Sequence, residues 1–100
     1  VLRYDIEEMK INIPPKWDCY WRIVIFDIPE KFKKARNALS KKIKDLGMFP
    51  LQKSVFVYPF ECRDEINFVS EFFRVGKFTQ YIVAKELDSE NFLKQHFGLQ

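Results

Sequence analysis

The apolar positions of this chain switch between two spacings, and the switches predict its elements. The first clear run is Trp21-Arg22-Ile23-Val24-Ile25-Phe26, which meets Asp27 and is stopped by Pro29. Ile, Val and Phe suit a pleated, covered surface, so this run predicts a β-strand. Four successive apolar residues, Ile23 to Phe26, predict a strand covered on both faces, or at least a central one. From Phe32 the spacing changes to three and four. Phe32, Ala35, Leu39, Ile43 and Leu46 mark one face of an amphipathic helix, and Gly47 supplies its left-handed cap.

Met48 to Pro59 returns to an extended pattern that places Phe49, Leu51, Val55 and Val57 on one face. Its polar centre, Gln52-Lys53-Ser54, predicts two strand segments with a bend or bulge between them. Arg63 to Val75 reads as a second amphipathic helix, with Asp64 and Glu65 complementing the dipole of its first turn. Ile66, Val69, Phe72 and Phe73 form its apolar face, and Gly76 is the expected stop. Lys77 to Leu87 predicts another strand. Asp88 or Ser89 then caps a short terminal helix that carries Phe92, Leu93 and Phe97 and ends at Gly98.

Strand, helix, strand segments, helix and strand in that order define an α+β fold. Two right-handed crossovers onto one sheet give a ferredoxin-like βαββαβ sandwich, here with an extra C-terminal helix. Residues 1–16 read as an N-terminal arm or linker, closed by Pro14-Pro15, and residues 17–100 as the folded domain. Both long helices are expected on one face of the sheet. The other face is expected to stay open, and an apolar open face in so small a domain predicts a homodimer.

Composition narrows the class. One hundred residues make one small domain, and 47% apolar content with eleven phenylalanines is ample for a core. No apolar run approaches the roughly 18–20 residues that span a bilayer, so no membrane role is expected. The start is polar and acidic, unlike a signal peptide, and begins with Val rather than Met, as a processed or excised domain would. Two far-separated cysteines and a single histidine argue against a zinc site, and two free thiols suggest a reducing cytosol. The net charge of +3 is mild, but Lys31 to Lys44 holds seven basic residues and no acid. That cluster is either a solvated helix face or an attractor for an anionic partner. Trp17 and Trp21 are a lid over one edge of the core or a stacking platform for bases.

Three motifs in order resemble a known family: Phe26-Asp27-Ile28-Pro29, the basic helix ending Asp45-Leu46-Gly47, and Leu51-Gln52-Lys53-Ser54-Val55-Phe56-Val57. They are similar to the Cas2 pattern. The upstream Trp17-Asp18-Cys19-Tyr20-Trp21-Arg22 resembles the Trp-Asp-Gly-x-Trp-Arg approach to the Cas2-like domain of PaaX-type transcriptional regulators, with Cys19 where glycine is usual. The resemblance covers roughly residues 17 to 87. It implies a ferredoxin-like homodimer and, in the regulators, a preceding winged helix-turn-helix. For Cas2 it implies Asp27 as catalytic residue and Mg²⁺ ligand, one from each protomer, with Gln52 and Ser54 as supporting neighbours. Lys33, Lys34, Arg36, Lys41 and Lys44 become contacts to a DNA or RNA backbone. The tryptophan-rich approach makes a Cas1-type integrase partner doubtful and favours the regulator.

The leading expectation is therefore a dimerising, nucleic-acid-associated domain of a PaaX-like regulator. Its rival is a Cas2-type Mg²⁺-dependent endonuclease acting through paired Asp27. One or two carboxylates with substrate phosphate can suffice for Mg²⁺. The alternative for Asp27 is a turn residue that accepts hydrogen bonds from the Ile28-Pro29-Glu30 backbone. A third possibility is an effector-sensing module that touches no nucleic acid, although no sequence feature names its ligand.

Overall fold

In the computed structural model, which describes residues 2–99 with side chains from Asp5 to Leu99, the elements follow the expected order. They are α1 (Leu2–Glu8), β1 (Trp21–Phe26), α2 (Lys33–Asp45), β2 (Phe49–Gln52), β3 (Val55–Tyr58), α3 (Arg63–Phe72), β4 (Thr79–Ala84) and α4 (Glu90–Phe97). Short 3₁₀ turns, Glu30–Phe32 and Gly76–Phe78, precede α2 and β4. The four strands form one sheet in the order β2-β3-β1-β4, every neighbouring pair antiparallel. This is the ferredoxin-like arrangement, with β1 and β3 in the middle.

The side-chain alternation of β1 divides the interior in two. Val24 and Phe26 point to the layer of α2 and α3, where they meet Phe56, Leu39, Ile43, Ile66 and Val69. Trp21 and Ile23 point the other way and pack with Val57 and Leu93. A pleated strand must alternate in this fashion, and a strand between two layers is apolar at every step. The double cover ends before the strand does, because Ile25 remains 37% exposed. The reason is α4. The sheet face expected to lie open is covered over Trp21, Ile23 and Val57 by Leu93 and Phe97, and α4 is too short to reach Ile25.

Phe49, Leu51, Val55 and Val57 do share one face, all belonging to that second core. What lies between them is a hairpin rather than a bend: β2 and β3 reverse through Lys53-Ser54, with a register shift between Pro50 and Gln52. Phe32 is a second departure. It sits in the 3₁₀ turn before α2, 39% exposed and outside the core, because its φ of −108° takes it off the helical spiral that aligns Ala35, Leu39 and Ile43.

Three helices end in the same motif. After α2, the N–H of Gly47 donates to Lys44 O and that of Met48 to Ile43 O, with Gly47 at φ +109°. Gly98 plays that role after α4 at φ +69°. After α3 the left-handed position falls on Arg74 at φ +61°, whose N–H donates to Glu71 O while Val75 N–H donates to Ser70 O. The helix therefore stops before Gly76, the residue the sequence marks for it. The N-terminal arm packs on the domain, since Ile6 and Ile11 are buried in the core beneath α2 and α3.

Candidate nucleic-acid interface and the ends of the first strand

Strand β1 has a closed end and an open end. At the closed end Arg22 follows Trp21 into the sheet with its side chain only 7% exposed. Its guanidinium donates to both oxygens of Asp18, at 2.8 and 2.6 Å, and to the carbonyl oxygens of Tyr20 and Pro59, each at 2.9 Å. This bidentate pairing holds the Asp18 carboxyl below its ordinary range and raises the Arg22 guanidinium above its own. Arg22 Nε lies 3.7 Å from Glu61 Oε1, close enough for charge attraction but too far for a hydrogen bond, so this buried N–H has no acceptor among the described residues.

The motif Trp17-Asp18-Cys19-Tyr20-Trp21-Arg22 explains itself here. Asp18 also accepts the Tyr20 N–H at 3.1 Å, which bends the chain back on itself. The bend requires Cys19 at φ +71°, the left-handed region in which glycine is unstrained. Trp21 is fully buried and donates its indole N–H to Glu90 at 3.1 Å, tying α4 to the sheet and lowering the pKa of Glu90. Trp17 packs on Trp21 at 4.9 Å between ring centroids. The pair is thus a lid that anchors α4; a buried Trp21 offers no face to a base. Sequence reasoning quoted these residues but gave Asp18 and Arg22 no role, although their spacing of four was the available signal. It also passed over Tyr81, whose hydroxyl accepts the Cys62 N–H at 3.0 Å at the start of α3. Burial pushes the Cys62 thiol up to about 11.

The open end carries Asp27. Its N–H donates to Phe78 O at 3.0 Å, and the N–H of Phe26 donates to Ser54 O at 3.1 Å. These two bonds bring the ends of β1, the β2–β3 turn and the second 3₁₀ turn together. Asp27 is exposed, and its carboxylate has no hydrogen bond or ion pair among the described residues; the turn bonds considered for it are not made. Ser54 is half-buried beside it, whereas Gln52 is exposed on edge strand β2 and two residues further along the hairpin. Among the described residues no group of three or more His, Cys, Asp or Glu side chains could hold a metal ion. An ion held by Asp27 would complete its shell with water, substrate phosphate or a second copy of Asp27.

The basic helix presents most of its charge on one side. Lys33, Lys34, Lys41 and Lys44 are exposed, and at 100° per residue they share the face opposite buried Leu39 and Ile43. Arg36 is set apart, half-buried and paired to Glu30 at 3.2 Å. Glu30 also lies 4.0 Å from Lys33, and Lys41 pairs with Asp45 at 3.0 Å. Lys34 and Lys44 have no partner among the described residues. No helix in the structure is long and apolar enough to cross a membrane.

A four-stranded antiparallel sheet backed by two helices, with an aspartate just beyond β1 and the Ser54 turn beside it, defines a Cas2-like domain. More particularly, residues 14–95 match the family described as the PaaX protein central Cas2-like domain, and the chain belongs to that family. It is accordingly a domain of PaaX-type regulators. No match was found among curated proteins.

Proposed function

We propose that this domain dimerises within a PaaX-type regulator and supports its hold on nucleic acid through the exposed lysines of α2. The observation that carries the reading is the first turn of α2. It contains Lys33 and Lys34 and no acid; the nearest acid, Glu30 in the preceding 3₁₀ turn, is paired with Arg36 and Lys33. Cations there oppose the helix macrodipole, which favours negative charge at an N-terminus by about 0.3–1 kcal/mol. A helix selected for stability alone would carry acids at this point, as α3 does with Asp64 and Glu65. An anionic partner reverses the sign: its phosphates meet both the lysines and the positive helix end.

The stripe from Lys34 to Lys44 is about 15 Å long at 1.5 Å per residue, enough to follow a nucleic-acid backbone for several nucleotides. Binding of a labelled duplex is expected at low salt and to weaken steeply as salt rises. Replacing Lys34 and Lys44 together by alanine should shallow that salt slope by roughly 1–2 units. Absence of binding at low salt, or a slope untouched by the substitutions, would count against the reading. Dimerisation is supported by Ile25 and by Phe92, which is 56% exposed on α4. Sedimentation should show a dimer that Ile25→Asp and Phe92→Asp disrupt.

A second reading, metal-dependent phosphodiester cleavage, is supported by one feature, the exposed and unpartnered carboxylate of Asp27. It requires two protomers to share an ion. Mg²⁺-dependent cleavage that is lost in Asp27→Ala while the dimer persists would favour it; cleavage that survives the substitution would exclude Asp27 from the chemistry.

A further inference from the structure

The strand's open end also carries an aromatic arrangement at the rim of the core, where Phe78 packs on the core and Phe32 stands outside it. Phe32 and Phe78 occupy the two 3₁₀ turns, with ring centroids 5.9 Å apart and planes inclined by 38°. The ammonium of Lys31 stands 5.3 Å from the Phe32 ring centroid, and that of Lys77 stands 5.3 Å from the Phe78 centroid. Both turns are fixed by backbone bonds: Phe32 N–H donates to Pro29 O at 2.9 Å and Phe78 N–H to Val75 O at 3.0 Å. Phe78 N–H and O are both engaged, since its carbonyl accepts the N–H of Asp27. An isolated exposed phenylalanine is ordinary on a protein surface. Here its backbone is pinned by a hydrogen bond, its ring is paired with a second ring, and each ring of the pair has an ammonium over it.

We propose that Phe32, backed by Phe78 and flanked by Lys31 and Lys77, is a stacking station for an unpaired base of single-stranded nucleic acid. The inference rests on the proposal that the lysine stripe of α2 binds phosphates, and adds to it the class of strand preferred. Lys33 and Lys34 follow Phe32 directly, so the stripe runs into the ring pair without a break. A planar base can lie on the Phe32 ring when the exposed Lys31 side chain swings from over it to a neighbouring phosphate, with the other phosphate on the lysines of the stripe. The bases of an intact duplex are stacked on one another and cannot use that ring, so a duplex gains only the phosphate contacts. The acids nearby do not reverse the local balance. Glu30 is engaged by Arg36 and Lys33, which leaves Asp27 and Glu71, whose carboxylate lies against Gly76, facing Lys31, Lys34 and Lys77.

The test compares a short oligothymidylate carrying a central 2-aminopurine with a duplex of the same length, against the full chain at low salt. The wild-type protein should bind the single strand more tightly and change the 2-aminopurine emission. Phe32→Ala should weaken single-strand binding by about tenfold, the effect of one lost stacking contact. It should abolish the emission change and leave duplex binding unaltered. Phe32→Trp should restore both. Because Phe32 lies outside the core cluster, both variants should keep the far-UV circular dichroism of the parent and a cooperative melt, with Phe32→Ala lowered only by the lost contact with Phe78. Equal losses for both probes, or none for either, would overturn the stacking proposal while phosphate binding by the helix stands. Failure of the wild-type protein to bind either probe would overturn both. Capture of polyglutamate through Phe32 in place of the oligonucleotide would assign the ring pair to an acidic protein instead.

Discussion

The two ends of β1 each have an aspartate, and the two have opposite surroundings. Asp18, 52% exposed, is spent on a buried arginine that also satisfies the carbonyls of Tyr20 and Pro59. Asp27 faces water with its carboxylate unpartnered, beside two 3₁₀ turns and a run of lysines. The closed end accordingly reads as the part that holds the fold, and the open end as the part free to act. The comparison also shows why residue type alone could not assign roles. An aspartate at the end of a buried strand draws the eye as a site residue, yet what fixes its role is whether the chain supplies a partner.

The sharpest way to break this contrast is to remove charge from each end in turn. Arg22→Met should destabilise the domain by about 3 kcal/mol, because it strands the buried carbonyl of Pro59 and removes the clamp on Asp18, while the Tyr20 carbonyl keeps only the Trp17 indole N–H. Asp27→Asn should change stability by less than about 0.5 kcal/mol, as expected of an exposed side chain without contacts. Urea unfolding of the two variants measures both effects. Comparable losses would mean that the open end is also structural.

The pH dependence offers a second, somewhat smaller test at the closed end. Burial raises the Cys62 thiol to about 11 from 9.0. The neutral thiol is thus favoured by folding, and its contribution is complete below pH 9. The unfolded chain loses the proton first, so stability falls as pH rises from about 9 to 11, by on the order of 2 kcal/mol. Tyr81, raised by burial in the same direction, works with the same sign. Cys62→Ala should show a flatter alkaline limb than the parent, and a maleimide should label exposed Cys19 well before Cys62. An unchanged alkaline limb would mean that the thiol is not buried in solution.

Much of the fold was legible because it depends on spacing. The unbroken apolar run Ile23–Phe26, the period of two in Phe49–Val57 and that of three to four in Ala35–Leu46 survive as the observed strands and helix. Gly47 and Gly98 end their helices as read, since a left-handed cap without a Cβ is a local requirement. The misreadings fall where tertiary packing decided. The sequence cannot say how far α4 reaches across the sheet, so it predicts an open second face, whereas α4 covers Trp21, Ile23 and Val57 and leaves Ile25 exposed. The spacing of three to Ala35 assigns Phe32 to the helix face, but a 3₁₀ turn has a different rotation per residue. The site was less legible than the fold. The lysine run is visible in the sequence, whereas the Phe32–Phe78 pair joins residues 46 apart and depends on the two turns meeting at one end of the sheet. Asp18 and Arg22 were in plain view as a pair four residues apart, but only the bend at Cys19 shows that they clasp.

That bend supplies a stabilising test of the closed end. Cys19 holds φ +71° despite its Cβ, a conformation that costs a non-glycine residue roughly 1–2 kcal/mol. Cys19→Gly removes this strain but adds freedom to the unfolded chain worth about 0.5–1 kcal/mol. The net expectation is a gain of about 0.5 kcal/mol, read as a higher urea midpoint with an unchanged slope. Cys19→Val, branched at Cβ, should lose stability by a similar or larger amount. If glycine destabilises instead, the left-handed bend is not what the Asp18–Arg22 clasp requires.

At the open end the corresponding substitution separates stability from action. Lys34→Glu places an acid in the first turn of α2, where Lys34 now opposes the macrodipole and has no ion-pair partner among the described residues. The exchange should stabilise the helix by about 0.5 kcal/mol at low salt, and the gain should shrink as salt screens it. The same exchange should weaken nucleic-acid binding, because it replaces a phosphate contact with a repulsion. A variant that is more stable yet binds less identifies Lys34 as a residue retained against the interest of the fold. If Lys34→Glu is destabilising, the helix needs that lysine for its own sake. The lysine stripe then loses its strongest claim to being a binding surface, and the contrast between the two ends of β1 narrows to Asp27.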